Sequence, residues 1–503
     1  MKTILSITLI VLCACAILSA GCTTSTAPAP QSPADTLFSQ GEQAFNSSNY
    51  HAAADLFALA KENYSAAGDQ AGYIRARDMA FLSTGAAGDF PYNQSEIEAA
   101  MILAFPNATA ARRNAWLDAP MTATLESEGG TWYFYDTIHN IKNHNPSLLR
   151  EENALANHTP LYDELMPVIT ASWKNGTGTY GAPVTYIGST NLDIPRQELP
   201  ANGTLKVWLP VPVETGSQTN VTILSAEPAR YMKSSTGTGA DLGLVYFEVP
   251  LEEVTGPFLN FSAKYRFVQH EQRFVIDPAK VLAYNTSSPE YQEYTGSSRN
   301  VNVTPEIKAK ALSIIGNETN PYLQAQKIYW DVVSTHPYSH APHFWIETTG
   351  QSESQYVLTT GIGDCGSQSM YFAALCRAVG IPARATGGYQ MILGLPGTHI
   401  WAEYYLEGYG WIPVDVTAAE GGDASYNATP EELKEYKTYF FGSLDPYRFV
   451  IQKSLDLPLV PGAGNEVVSP AGWVQLPKLV CDTCPDNPMV LSYEYSHVAV
   501  EKE

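Results

Sequence analysis

Cys365 stands in GIGDCGSQSMYFAALCRAVGIPAR, residues 361–384, between a glycine-rich turn and an apolar run. Gly361 and Gly363 permit a tight turn. The run Ser367–Val379, rich in Ala, Met, Leu and aromatics, predicts a largely buried helix. A thiol at the start of that helix meets unpaired amides and the positive end of the dipole, which favour the nucleophilic thiolate. The Cys365 N–H is also placed to help bind an oxyanion. The competing explanation is a structural buried cysteine, and Cys376, mid-helix among apolar neighbours, fits that description.

A nucleophilic cysteine needs a base, and the base needs an orienting group. His399 opens HIWAEYYL, where alternation puts His399, Trp401, Glu403 and Tyr405 on one strand face. Asp415 lies in WIPVDVT on the next strand. A three-residue loop Gly408–Tyr409–Gly410 pairs Glu407 with Trp411 and sets Asp415 opposite Glu403, on the face that carries His399. The spacing permits a Cys–His–Asp triad. Trp401 and Glu403 read as structural members of their strand.

With these blocks in order, the chain resembles the transglutaminase-like superfamily, related to the papain-like cysteine proteases. The resemblance rests on Gly363-Asp364-Cys365, on the run Arg377–Arg384 (RAVGIPAR), on His399-Ile400-Trp401-Ala402-Glu403 and on Gly410–Thr417 (GWIPVDVT). It covers about residues 304–450, including FGSLDPYRF. It implies that Cys365 attacks a carboxamide carbonyl to form a thioester, that His399 activates the thiol and protonates the departing nitrogen, and that Asp415 holds the imidazole. Water as acceptor gives proteolysis or deamidation; a lysine amine gives a cross-link.

Other candidates are weaker. HPYSHAPH supplies His336, His340 and His343, but prolines interrupt the run and it holds no carboxylate, so no metal site is expected, and no cofactor. CDTC (Cys481–Cys484) reads as a local disulfide or a pair of free thiols.

The 503 residues are 45% hydrophobic and 16% charged, enough to bury real cores, and the net charge of −22 argues against nucleic acid as a partner. The opening MKTILSITLIVLCACAILSAGC has a lysine before an apolar run, a secretory pattern. SAGC makes Cys22 a lipidation candidate; an uncleaved anchor helix is the alternative. Thirteen N-x-S/T sequons lean towards a glycosylated surface protein. The oligomeric state is left open.

The expected architecture is a multi-domain α+β chain. It has a signal or lipobox-like segment (1–22), a linker (23–34) and a helical region (35–170). Gly41, Phe45, Tyr50, Ala53 and Ala60 there match a tetratricopeptide-like hairpin. A β-sandwich (171–270), a second linker (271–303), a transglutaminase-like core (304–460) with its catalytic helix packed on an antiparallel sheet, and a tail (461–503) follow. The three folded parts are expected to hold separate hydrophobic cores. The function expected is extracytoplasmic acyl transfer on protein or peptide amides, hydrolysis ahead of cross-linking. The membrane contact expected is the N-terminal anchor alone. The alternative is a non-catalytic surface scaffold with the same fold.

Overall fold

The computed structural model describes residues 32–127, 129–175, 178–392, 394–464 and 467–503. The expected signal segment, Cys22 and most of the first linker lie outside the described residues. Among the described residues no helix is long and apolar enough to cross a membrane.

Helix α1 (Pro33–Asn46) starts on a reciprocal cap: the Ser32 hydroxyl accepts the Asp35 N–H and the Asp35 carboxylate accepts the Ser32 N–H. Helix α2 (Tyr50–Ala67) stops at Gly68, whose φ of 73° suits a residue without a Cβ. Gly41 of α1 lies so close to Phe57 of α2 that a Cβ would meet the ring at 2.7 Å. Helix α3 (Gln70–Asp89) packs along α2, so the hairpin read from the spacing is part of a three-helix array.

The region is not helical throughout. Strands β1 (Tyr92–Asn93), β2 (Thr124–Ser127) and β3 (Gly130–Tyr133) make a small antiparallel sheet among α4 (Gln94–Ala104), α5 (Ala110–Leu117), α6 (Thr137–Asn143), α7 (Pro146–Ala156) and α8 (Pro160–Asn175).

Six strands follow: β4 (Tyr180–Pro195), β5 (Thr204–Pro210), β6 (Gln218–Glu227), β7 (Met232–Ser235), β8 (Leu244–Pro250) and β9 (Phe258–Arg273). Along β9 the alternating residues Leu259, Phe261, Ala263, Tyr265 and Phe267 are buried, the period-2 signature of a sheet with one inner face.

The C-terminal half adds α9 (Pro289–Thr295), α10 (Pro305–Ile315), α11 (Pro321–Thr335), α12 (His343–Thr349), α13 (Glu353–Thr360) and α14 (Cys365–Ala378). Then come β10 (Ala383–Gln390), β11 (Gly397–Leu406), β12 (Gly410–Val414), α15 (Val416–Glu420), α16 (Pro430–Tyr439), β13 (Ser443–Leu444) and β14 (Arg448–Gln452). Strands β12-β11-β10-β14 form an antiparallel sheet on which α14 lies. The protein is thus mixed α+β.

One expectation changes. Residues 461–503 are not a free-standing tail: β15 (Lys478–Cys481) pairs with β5 and β16 (Ser496–Lys502), after α17 (Met489–Tyr495), pairs with β4. Both sandwich sheets therefore take a strand from the far end of the chain, and Cys481 and Cys484 are joined as a disulfide beside β15.

The cores are distinct but meet on shared elements. Val450 of β14 packs in the core of the catalytic half, whereas its neighbours Phe449 and Ile451 pack in the sandwich core. Alternate residues of one strand face opposite sides, so the β10–β14 edge of the catalytic sheet is covered by α14 on one face and by the sandwich on the other. Gln218 of β6, fully buried, locks this junction: its amide accepts the Val450 N–H at 2.8 Å and donates to the Val450 carbonyl at 2.9 Å. Tyr162, Leu165 and Ile169 of α8 likewise join the catalytic core.

Candidate active site

The nucleophile candidate sits at the first residue of α14. Asp364 caps the helix, accepting the N–H of Gly366 at 2.9 Å and of Ser367 at 3.0 Å, an interaction whose loss costs about 1 kcal/mol. Residues Gly366–Arg377 are buried, so the helix is fixed by packing along its whole length.

The second Asp364 oxygen meets His343 Nε2 at 2.8 Å, and His343 Nδ1 meets Glu353 at 2.8 Å. Burial alone would lower the His343 pKa; the charges of Glu353 and Asp364 override it and hold the imidazole protonated. Burial would raise the Asp364 pKa, but His343 pulls it below the usual carboxylate range. The cap is therefore an anion with its own counter-ion. Sequence inspection missed this Glu353–His343–Asp364 chain.

Cys365 is only partly exposed. Burial, the largest influence, and then the negative charge of Asp364 push its thiol pKa well up, against the opposing N–H groups of Ile400 and Gly366. Burial thus opposes the thiolate that the helix end favours, and the thiol needs a base to lose its proton.

His399 lies on β11 opposite Gly388 of β10. That position demands glycine, because a Cβ there would lie 1.8 Å from the Phe449 carbonyl oxygen on β14. The hairpin to β12 pairs Leu406 with Gly410 and Tyr405 with Trp411, one step earlier than expected. The turn residue Gly408 has a φ of 88°, so the loop is Glu407–Gly408–Tyr409. The slip preserves the parity of the faces, and Asp415, just past β12, still reaches His399.

Asp415 Oδ2 stands 2.8 Å from His399 Nε2. The same oxygen accepts from Arg448 at 2.7 Å, and Oδ1 accepts the Ala418 N–H at 3.0 Å. Burial would raise the Asp415 pKa; His399 and then Arg448 overcome it and keep the carboxylate ionised. Arg448 is itself fully buried and also pairs with Asp445 at 2.6 Å. Gln475, from the stretch expected to be a tail, donates to the His399 carbonyl at 2.8 Å and so fixes the backbone of the base. Glu403 pairs with Arg384 across the strands at 2.7 Å, the structural role expected of it.

A cavity of about 460 Å³ opens on Cys365 and His399. Tyr338, Thr398 and Glu420 line it from the catalytic half, and His139, Pro146 and Leu161 from the helical region. Burial raises the pKa of the Glu420 carboxyl well above the carboxylate range, and one of its oxygens accepts from Gln368 at 3.2 Å. The ring nitrogen His399 Nδ1 is left for a thiol, since Nε2 serves Asp415.

The three histidines of HPYSHAPH go to different places. His336 is buried, and that burial lowers its pKa to about 4. His340 pairs with Asp136. His343 pairs with Glu353 and Asp364.

The sequence profile of the transglutaminase-like superfamily matches residues 308–416, a span that contains Cys365, His399 and Asp415. Residues 308–416 are a transglutaminase-like domain. The chain is also 30% identical over 162 residues to a Haemophilus influenzae protein described only as uncharacterized, a match covering 27% of this chain and 42% of that one. The chain thus spans less than half of that relative. A crystal structure of a candidate cysteine protease from Cytophaga hutchinsonii aligns with 64% of this chain and 92% of its own, at 15% identity and a TM-score of 0.40. The periplasmic domain of TgpA from Pseudomonas aeruginosa aligns with 52% of this chain and 99% of its own, at 12% identity and a TM-score of 0.24. In this chain the transglutaminase-like domain is joined on one side to the sandwich and on the other to the helical region, and the latter supplies a wall of its cavity.

Proposed function

We propose that the protein is a papain-like cysteine acyl-transfer enzyme acting on protein or peptide amides, with Cys365 as nucleophile, His399 as general base and acid, and Asp415 as the orienting carboxylate. One observation carries this reading: His399 Nε2 is held 2.8 Å from a buried carboxylate while the same ring and the Cys365 thiol line one cavity.

The cycle follows from that arrangement. The Cys365 proton passes to His399 Nδ1 as Sγ bonds to the carbonyl carbon. The oxyanion is received by the Cys365 N–H at the head of α14, with the Tyr338 phenol on the facing wall as the second donor. Collapse expels the amine, which takes the proton from His399 and leaves a thioester. Water then attacks the thioester carbon as His399 removes its proton; the C–S bond breaks to release the acid, and His399 returns the proton to the leaving sulfur. Asp415 stays ionised and stabilises the imidazolium at each step.

Hydrolysis is the outcome we favour over amine transfer. Water needs no second binding site, and polar groups such as Ser334, Thr398 and Asp423 line the cavity. We place the action outside the cytoplasm on the strength of the charged-then-apolar N-terminal segment, with Cys22 lipidation or an uncleaved helix as its anchor.

The raised thiol pKa favours the other reading, a scaffold that keeps the fold without turnover. Rapid acid quench with an activated peptide ester separates the two. Intact mass should show one acyl adduct, mapped to Cys365 and lost in Cys365→Ala; a protein that never acylates is the scaffold.

A further inference from the structure

Beside the cavity, where His139 forms part of its lining, stand ligating side chains that acyl transfer leaves unused. Asp136, His139 and His340 each offer one ligand atom, and the three atoms lie within 4.8 Å of one another. Asp136 precedes α6 and His139 lies one turn into it, whereas His340 belongs to the loop between α11 and α12. The HPYSHAPH run has no carboxylate of its own; the fold brings one from 204 residues away.

The group is held in place. Asn140, fully buried, accepts the His340 N–H at 2.8 Å and donates to the His340 carbonyl at 3.0 Å, so the loop backbone is clamped to α6 on both sides. Asp136 pairs with His340 Nδ1 instead of capping α6. The exposed His139 ring lies tilted against His340 with centroids 5.0 Å apart. An ion pair between Asp136 and His340 would need neither the second imidazole nor the Asn140 clamp.

We propose that Asp136, His139 and His340 form a binding site for a divalent first-row transition metal, with zinc the best match, that pins the helical region to the transglutaminase-like domain. Two imidazoles and a carboxylate suit zinc and its neighbours, whereas calcium and magnesium take oxygen sets. Three protein ligands leave one tetrahedral position for water or a substrate group. His139 also lines the cavity with Cys365 and His399, so the site adjoins that cavity.

The test uses the full chain carrying Cys365→Ser, which removes the thiol of the cavity, stripped with a chelator and dialysed against zinc or cobalt(II). The expected result is one equivalent bound at micromolar metal, cobalt d–d bands of a nitrogen–oxygen site and a higher Tm. His139→Ala leaves the Asp136–His340 pair in place, so its metal-free Tm should match the parent while metal affinity falls at least about tenfold. Asp136→Asn should weaken binding as well. If His139→Ala does not fold, His139→Gln serves. Absence of a bound equivalent, or binding and a Tm rise that survive both the His139 and the Asp136 substitutions, overturns the proposal.

Discussion

The carboxylate of Asp415 is shared: its Oδ2 faces His399 at 2.8 Å and Arg448 at 2.7 Å, and both Asp415 and Arg448 side chains are fully buried. One oxygen thus orients the imidazole while a guanidinium balances its charge. Asp415→Asn should lower kcat/KM on the order of 10⁴-fold, the scale set by losing an orienting carboxylate. Steady-state kinetics beside a Tm check this; a drop below about fivefold with the fold intact would remove Asp415 from the reaction.

Arg448→Met leaves the carboxylates of Asp415 and Asp445 buried without their cation. Removing one member of a buried ion cluster destabilises by about 3–5 kcal/mol, because the partners stay desolvated. Urea denaturation should show a loss of that order. A change under about 1 kcal/mol would mean that the carboxylates find other partners.

Alkylation reports on the thiol. Burial and Asp364 raise the Cys365 pKa, so iodoacetamide labelling should be slow at mildly acidic pH and should quicken as pH rises through 8 and 9. Peptide mapping should find Cys365 modified well before Cys376, which is fully buried, and His399→Ala should slow the reaction. Equal labelling of the two cysteines, or indifference to His399→Ala, would contradict the assignment.

Lys478 is 1% exposed, with Nζ 2.9 Å from the Ser469 hydroxyl and 4.9 Å from the Trp473 ring. Burial lowers its pKa from 10.5 to about 7. A depressed lysine contributes stability that is complete above the unfolded pKa and is lost as pH falls through the folded one. Between pH 10.5 and 7 the wild type should therefore lose up to about 1.4 kcal/mol per pH unit relative to Lys478→Met. Urea midpoints of the two proteins at several pH values check this; parallel profiles would show that Lys478 keeps its ordinary affinity for protons.

Local pattern carried much of this into the sequence. An apolar run after a glycine-rich turn put Cys365 at a helix start, and alternation with face parity brought His399 and Asp415 together even though the hairpin closes one residue earlier than expected. What stayed hidden depends on long-range contact. Arg448 reads as a surface charge until Asp415 and Asp445 enclose it. Gln475 gains meaning only beside His399, 76 residues earlier, and strands β15 and β16 only beside partners hundreds of residues earlier. The thiol pKa eluded local reasoning because the helix end is visible in sequence and desolvation is not.

The most direct test of the central claim is product analysis. The full-length protein, its Cys365→Ala variant and its His399→Ala variant would each be incubated with a peptide library and a labelled amine, and the products identified by mass spectrometry. The wild type should yield cleaved or deamidated peptides, with little amine incorporated, and both variants should yield none. Products that persist in Cys365→Ala, or a wild type that leaves every peptide and the amine untouched, would contradict a cysteine acyl-transfer enzyme.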